Sequence, residues 1–444
     1  MDESLHGRTV CVATLGCKVN QFESAAFSSD FQAEGCRLVD LSAGADIYVI
    51  NTCAVTGRAG QQSRQLVRRA RRANPDARII VTGCYAQIEA EQVLGLVDGP
   101  VCVVGNGNKH LVLETARECG HHDILMLTGD IGRKREVCPL TVRRFPGRTR
   151  AYLRVQDGCD NFCSYCIVPY TRGRSRSLPL AAVLEQMDIF VHAGHLEVVV
   201  TGINVGKYGL DLAEGQTIYT LLDLLCRNHP HVRIRLSSVE PTEVNRELLD
   251  LQERHANFMP HFHVPLQSGD NGILARMNRH YTTSDVVRII GTINRRFPDA
   301  AIGCDILAGF PGEDRKAADN TYRLLADLPI TYLHVFPYSR RPGTRAARFR
   351  EQVSPEILND RVRRLRDLDL EKRQRFRTSQ LGTTRQVLVE RKNPQTGLLQ
   401  GFSENYLPVA FSGPDSLVGT VAQVLLVRSG DREVLGRYPD DTLE

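Results

Sequence analysis

The chain has 444 residues, 42% of them apolar and 24% charged, with a net charge of +5 and 13 cysteines. These are the proportions of a soluble globular protein with room for two or three domains, each with its own core. The opening MDESLHGRTVCVATLGC is acidic early and has no long apolar run, so it is not expected to be a secretion signal. No stretch approaches the roughly 20 apolar residues that span a bilayer. So many cysteines without a signal are expected in the reducing cytoplasm, as metal ligands or core thiols and not as a disulfide framework.

Residues 1–130 alternate short β-branched strands with helical stretches: TVCVATLG (9–16), ADIYVINT (45–52), ARIIVTG (77–83) and VCVVGN (101–106). That alternation predicts an α/β domain, a parallel sheet with helices on both faces. The helix before the third strand, AGQQSRQLVRRARRANPDA, stops at an Asn-Pro turn. Residues 131–150, basic and broken by Pro and Gly, read as an interdomain linker. From 151 to 378 a second series offers six strands, at 151–156, 196–202, 232–237, 261–266, 301–309 and 331–339. Six βα units are too few for a closed eight-stranded barrel, so an open, partial barrel is expected. A long charged helix covers 361–377. Residues 379–444 then alternate as a small all-β module of the oligonucleotide-binding sort.

The positive charge is clustered. Seven arginines and a single carboxylate, Asp76, lie between Arg58 and Arg78. Two more basic clusters cover 133–150 and 339–350. One such run is usually a solvated helix face, but three predict a polyanionic partner, and the planar arginine fork suits phosphate.

DGCDNFCSYC (157–166) holds Cys159, Cys163 and Cys166 just past the first strand of the second domain, at the strand end where barrel active sites lie. Three thiolates on a four-iron cluster leave one iron open for a substrate or cofactor. In the first domain, TLGC, INTC and VTGC end the first three strands, so Cys17, Cys53 and Cys84 can converge at the carboxyl edge of a parallel sheet. The other seven cysteines, 11, 36, 102, 119, 138, 226 and 304, match no ligand pattern and are expected as ordinary thiols.

The C-x3-C-x2-C spacing resembles that of the radical S-adenosylmethionine enzymes. Together with the N-terminal three-cysteine domain and the C-terminal β module, similar to a TRAM domain, the chain resembles the methylthiotransferases over nearly its whole length. The resemblance implies two 4Fe-4S clusters, one on Cys17, Cys53 and Cys84 and one on Cys159, Cys163 and Cys166. The second would bind S-adenosylmethionine and cleave it to a 5′-deoxyadenosyl radical, and the first would carry the sulfur to be inserted. VVVTGINVGKYG and RIRLSSVEP resemble cofactor-holding stretches and nominate Gly202, Asn204, Ser237 and Glu240. HVPLQSGDNGILARMNRHYT, a block resembling the family's with Gln267 and Ser268 past a strand end, adds Gln267, and DILAGFPGE (305–313) would approach the adenine or simply form a tight turn.

Members of the family act on tRNA carrying isopentenyladenosine, on tRNA carrying threonylcarbamoyladenosine, or on a ribosomal-protein aspartate. GCKVNQFES, GCYAQ and LSSVEP resemble the threonylcarbamoyl type, which implies methylthiolation at C2 of adenosine 37 in the anticodon loop. Unidentified electron and sulfur donors would serve a monomer free of membrane. Arg385, Arg391 and Lys392, with Phe402 and Tyr406, are the expected RNA grip of the last domain. An iron–sulfur RNA-binding redox sensor is the reading from another class.

Overall fold

The computed structural model describes residues 4–119, 125–212 and 215–439, so the extreme ends of the first and last expected domains lie outside the described residues. In the first domain β1 (Thr9–Thr14), β2 (Arg37–Leu38), β3 (Ile47–Thr52), β4 (Arg78–Gly83), β5 (Val101–Val104) and β6 (Leu125–Leu127) form one sheet. Its order is β2-β1-β3-β4-β5-β6 and every pairing is parallel. All four expected strands are present. The two additional ones, β2 and β6, are edge strands too short to show a periodicity. One face of the sheet packs Val49, Ile80 and Val104 on Phe27 and Phe31 of the helix Lys18–Ala33. The other packs Ile50, Ile79 and Val81 on Val67 and Ala70 of the helix Gly57–Ala73. Cover on both faces is why β3, IYVINT, is buried at every position.

The second domain holds β7 (Arg150–Arg154), the two-residue strands β8 (Gln156–Asp157) and β9 (Arg176–Ser177), β10 (Glu197–Thr201) and β11 (Arg233–Leu236). β12 (His261–Gln267), β13 (Ala301–Ala308) and β14 (Tyr332–Pro337) complete it. Two parallel three-stranded halves, β7-β10-β11 and β12-β13-β14, make an open six-stranded barrel. They meet at an isolated Ile234–Phe258 bridge and a bond from Val239 N to His263 O (2.9 Å). The segment 131–150, expected as a linker, is a strap on this barrel up to Arg150, where β7 begins. Val142 and Phe145 are buried in its core, and the Val142 backbone both accepts from and donates to the Gln186 side chain (2.7 and 2.8 Å).

The helix Pro355–Ser379 starts six residues before the expected 361, because Pro355 suits a first turn that needs no amide donor. It leads into β15 (Thr384–Lys392), β16 (Leu399–Ser403), β17 (Pro408–Phe411), β18 (Val421–Ser429) and β19 (Val434–Arg437), a closed barrel in the order β15-β16-β17-β19-β18. The module is fastened to the open barrel. Arg150 pairs with Glu390 (2.7 Å), Arg385 with Asp299 (2.9 Å), and Arg233 donates to Gln386 O (2.7 Å). The Tyr406 ring lies 4.6 Å from His261, and Arg150 sits 4.6 Å over Phe402. Arg385, Phe402 and Tyr406 therefore serve docking, which corrects their expected place in the RNA grip. Arg391 and Lys392 do remain exposed. Cys102 and Cys119 form a disulfide, so these two are not the free thiols expected. Among the described residues no helix is long and apolar enough to cross a membrane.

Candidate functional site

Cys17, Cys53 and Cys84 directly follow β1, β3 and β4 or the turns that end them. These strands are neighbours in near-level register, with Thr14 opposite Asn51 and Thr52 opposite Gly83. Gly16, at φ 103, makes the sharp turn that brings Cys17 back to the sheet edge; a Cβ there would lie 3.0 Å from Cys53 Cβ. The barrel cysteines occupy the loop between β8 and β9. Gly158, at φ 74, opens it, and a Cβ at that position would meet Arg174 O at 1.9 Å. Glycine is required there. Ser164 ties the loop down, its amide to Met277 O (2.9 Å) and its hydroxyl to Arg276 O (2.8 Å).

All six cysteines line one cavity of about 400 Å³ between the first two domains. Gly202, Asn204, Ser237, Glu240 and Gln267 line it as well. Ser268 does not; it is buried and turns to Thr321 (3.4 Å). Of the 305–313 stretch only Asp305 faces the cavity. Residues 309–313 form the turn, with Glu313 accepting from Gly309 N at 3.0 Å. A larger cavity of about 740 Å³, walled by Arg246, Arg288 and Arg296, contains no cysteine.

The donor set fits iron–sulfur clusters. Neither three-thiol set closes to within 4.8 Å, the mutual spacing that would hold a single ion; among the described residues only His263, Asp305 and His334 do. Apart from the exposed Cys17, the other five thiols are buried or half-buried, and several have donors close by. Asn204 Nδ2 lies 3.8 Å and Asn161 N 3.5 Å from Cys159 Sγ, Arg279 Nη1 3.2 Å from Cys163 Sγ, and Asn106 Nδ2 3.8 Å from Cys84 Sγ. Burial, with the neighbouring thiols, pushes Cys53 and Cys166 up to about 12 and Cys159 up to about 11. Metal-free, these thiols are protonated at neutral pH, and ligation must release protons.

A buried charge network joins the two sets. Arg172, six residues past Cys166, reaches Asp157 (2.9 Å), Glu23 (3.0 Å) and Asn20 (2.6 Å). Glu23 also pairs with Lys109, and every one of these ionic side chains is at most 4% exposed. Burial pushes the Glu23 carboxyl up, but Arg172, Lys109 and Arg154 outweigh it and hold it below the usual carboxylate range. Asn20 in turn donates to Leu15 O (2.7 Å) and Thr52 O (3.0 Å), beside Cys17 and Cys53. On the barrel side Arg279 binds Glu240 as well as Cys163.

Sequence reading missed Glu23, Lys109, Asp157, Arg172 and Arg279. Arg279 lay inside the 263–282 block and Asp157 inside the cysteine loop, so both were in view without a partner to give them a role. Glu23 lay inside GCKVNQFES, likewise without a partner to give it a role, and Lys109 and Arg172 carried no local signal, since they lie 86 and 149 positions from it.

The Uncharacterized protein family UPF0004 matches residues 9–105, and the Radical SAM superfamily matches residues 153–325. The threonylcarbamoyladenosine tRNA methylthiotransferase MtaB of Bacillus subtilis (strain 168) is 35% identical over 428 residues, 95% of this chain and 94% of that one. The protein of the same name from Aquifex aeolicus (strain VF5) is 37% identical over 419 residues, 94% of this chain and all of its own. Among solved structures, the radical S-adenosylmethionine methyltransferase TsrM from Kitasatospora setae matches with a TM-score of 0.56 over 77% of each chain. At 16% identity that likeness is one of fold alone. Matched in both cysteine-bearing domains and along nearly its full length, the chain belongs to the methylthiotransferase family of radical S-adenosylmethionine enzymes.

Proposed function

We propose that the protein is a tRNA methylthiotransferase that adds a methylthio group to C2 of N6-threonylcarbamoyladenosine at position 37, beside the anticodon. The observation that carries this reading is the single cavity walled by two separate three-thiol sets, one from each of the first two domains. The Bacillus and Aquifex relatives are named for that activity. Cys17, Cys53 and Cys84 would hold one 4Fe-4S cluster and Cys159, Cys163 and Cys166 the other. Gly202, Asn204, Ser237, Glu240 and Gln267 would wall S-adenosylmethionine. When bound, these groups supply a radical able to take hydrogen from an unactivated C–H and a sulfur ready for transfer.

The protein's own residues set the stage for that chemistry. Arg279 and Asn204 donate to cluster-side sulfurs, which stabilises their anionic form once metal has displaced the protons. The Glu23–Arg172–Asp157 network ties the element that follows Cys17 to the loop that carries Cys159, Cys163 and Cys166. Outside the cavity Arg58, Arg68, Arg69 and Arg72 are exposed along the helix Gly57–Ala73, with no carboxylate paired to them among the described residues. That helix adjoins the basic cluster at 339–350, where Gly57 N donates to Ser339 Oγ (2.9 Å). Unpaired guanidinium groups along one helix suit the phosphates of an anticodon stem.

Anaerobic reconstitution with reductant, S-adenosylmethionine and tRNA bearing threonylcarbamoyladenosine, followed by mass analysis of the nucleosides, tests the reading. The expected product carries the added mass of one methylthio group. Intact clusters that yield no 5′-deoxyadenosine would instead favour a redox-sensing RNA-binding protein.

A further inference from the structure

Three cationic side chains line the cavity that holds the six cysteines: Lys18, Arg172 and Arg279. Two of them are spoken for. Arg172 is committed to Glu23, Asp157 and Asn20, and Arg279 to Glu240, with Tyr281 Oη a further 2.9 Å from its Nε. Lys18 has no hydrogen-bond or ion-pair partner among the described residues. Burial lowers its pKa, and its electrostatic neighbours are Tyr406, Asp305, Arg150 and Cys17, drawn from the C-terminal module, the open barrel and the N-terminal cysteine set. Asp305, the carboxylate among them, is already held between His263 (3.1 Å) and His334 (3.2 Å). An unneutralised ammonium facing a substrate chamber is costly unless the ligand brings its own anion.

Resting on the substrate reading above, we propose that Lys18 is a specificity-determining residue that binds the free carboxylate of the threonylcarbamoyl group. Of the groups on the modified adenine, the threonyl carboxylate alone is anionic, and it stands several bonds away from C2. A lysine beside Cys17 can hold it while the base edge remains open to the cavity. The ammonium is a compact point charge on a flexible stem and meets a single carboxylate without the fork geometry that the two arginines use on their own partners.

The test compares binding of two tRNAs, one bearing threonylcarbamoyladenosine and the same sequence with unmodified adenosine, to the reconstituted full-length protein. Wild type should prefer the modified tRNA. Lys18→Met should remove on the order of tenfold to a hundredfold of that preference, the size of one charge-assisted hydrogen bond. Lys18→Arg should keep most of it. Capping the carboxylate of the free nucleoside as an amide should weaken wild type by the same factor and leave Lys18→Met unaffected. Iron content, and 5′-deoxyadenosine formed without tRNA, should match wild type in both variants. Equal weakening toward both tRNAs would assign Lys18 to a backbone phosphate, and reduced cofactor cleavage without tRNA would assign it to the methionine carboxylate. Lost iron would assign it to cluster support. Each of these outcomes overturns the proposal, as does an unchanged preference in Lys18→Met. A wild type with no preference would sink the threonylcarbamoyl reading itself, which separates that failure from a failure of Lys18 alone.

Discussion

The two cysteine sets reach the same cavity by opposite routes. Cys159, Cys163 and Cys166 come from a single loop, pinned at Gly158 and Ser164, and their spacing is a property of eight consecutive residues. Cys17, Cys53 and Cys84 come from the ends of three strands, and only the order β1-β3-β4 makes them neighbours. A loop keeps three ligands close together along the chain and needs only to be tied down, here at Met277 and Arg276, whereas a sheet edge presents them only after its helices and strands have packed. The first set is therefore a local device and the second a tertiary one, and the two should respond differently to damage.

The largest effect is expected from the local set. Replacing Cys159, Cys163 and Cys166 by Ala should abolish 5′-deoxyadenosine formation. Iron should fall to roughly half of the about eight atoms carried by two four-iron clusters. A wild-type iron count near four would rule out the N-terminal cluster.

Next comes the tertiary set. Cys17→Ala, Cys53→Ala or Cys84→Ala should still allow cofactor cleavage but give no methylthiolated nucleoside. Product from any of these three variants would show that the sheet-edge thiols do not carry sulfur.

Glu23→Gln should blur the distinction, because Glu23 belongs to the network that joins both sets. Breaking a buried ion pair by removing one partner costs about 3–5 kcal/mol. Urea unfolding of the metal-free protein should show that loss, and reconstituted variant should be short of iron in both clusters. The sign with pH follows from the lowered Glu23 carboxyl. Its stabilisation is complete above the unfolded carboxylate value of about 4.3 and fades as the pH falls below it. The gap between wild type and variant should be widest near neutrality and narrow in acid. A gap independent of pH would mean that Glu23 is not ionised in the fold.

The smallest effects belong to the surface. Converting Arg68, Arg69 and Arg72 to Gln should weaken tRNA binding and lower the salt slope by about 0.9 for each phosphate no longer neutralised, with cofactor cleavage unchanged. Arg391→Gln with Lys392→Gln should do less, as Lys392 is already paired to Asp415 (2.6 Å). Truncation before residue 380 is a poor substitute for these variants, since it would strip Glu390, Phe402 and Tyr406 from Arg150 and His261 of the barrel. An unchanged salt slope in the triple-arginine variant would move the RNA path to another face.

What the sequence determined by itself is whatever depends on neighbours in the chain. The strand–helix alternation of both α/β domains, the six barrel strands and the C-x3-C-x2-C loop were all legible, because side-chain periodicity and ligand spacing are written in consecutive residues. The strand-end cysteines were legible one step further, through the rule that parallel strands share a carboxyl edge. Other features depend on partners far apart in sequence, and only the tertiary structure decided them. Glu23, Lys109 and Arg172 became a network once three separate elements packed, Phe402 and Tyr406 proved to be a docking contact, and the linker became a strap through Val142 and Phe145. Lys18 belongs there too: its charge could be read from the chain, but its lack of a partner among the described residues appeared only when the other cations of the cavity had found theirs.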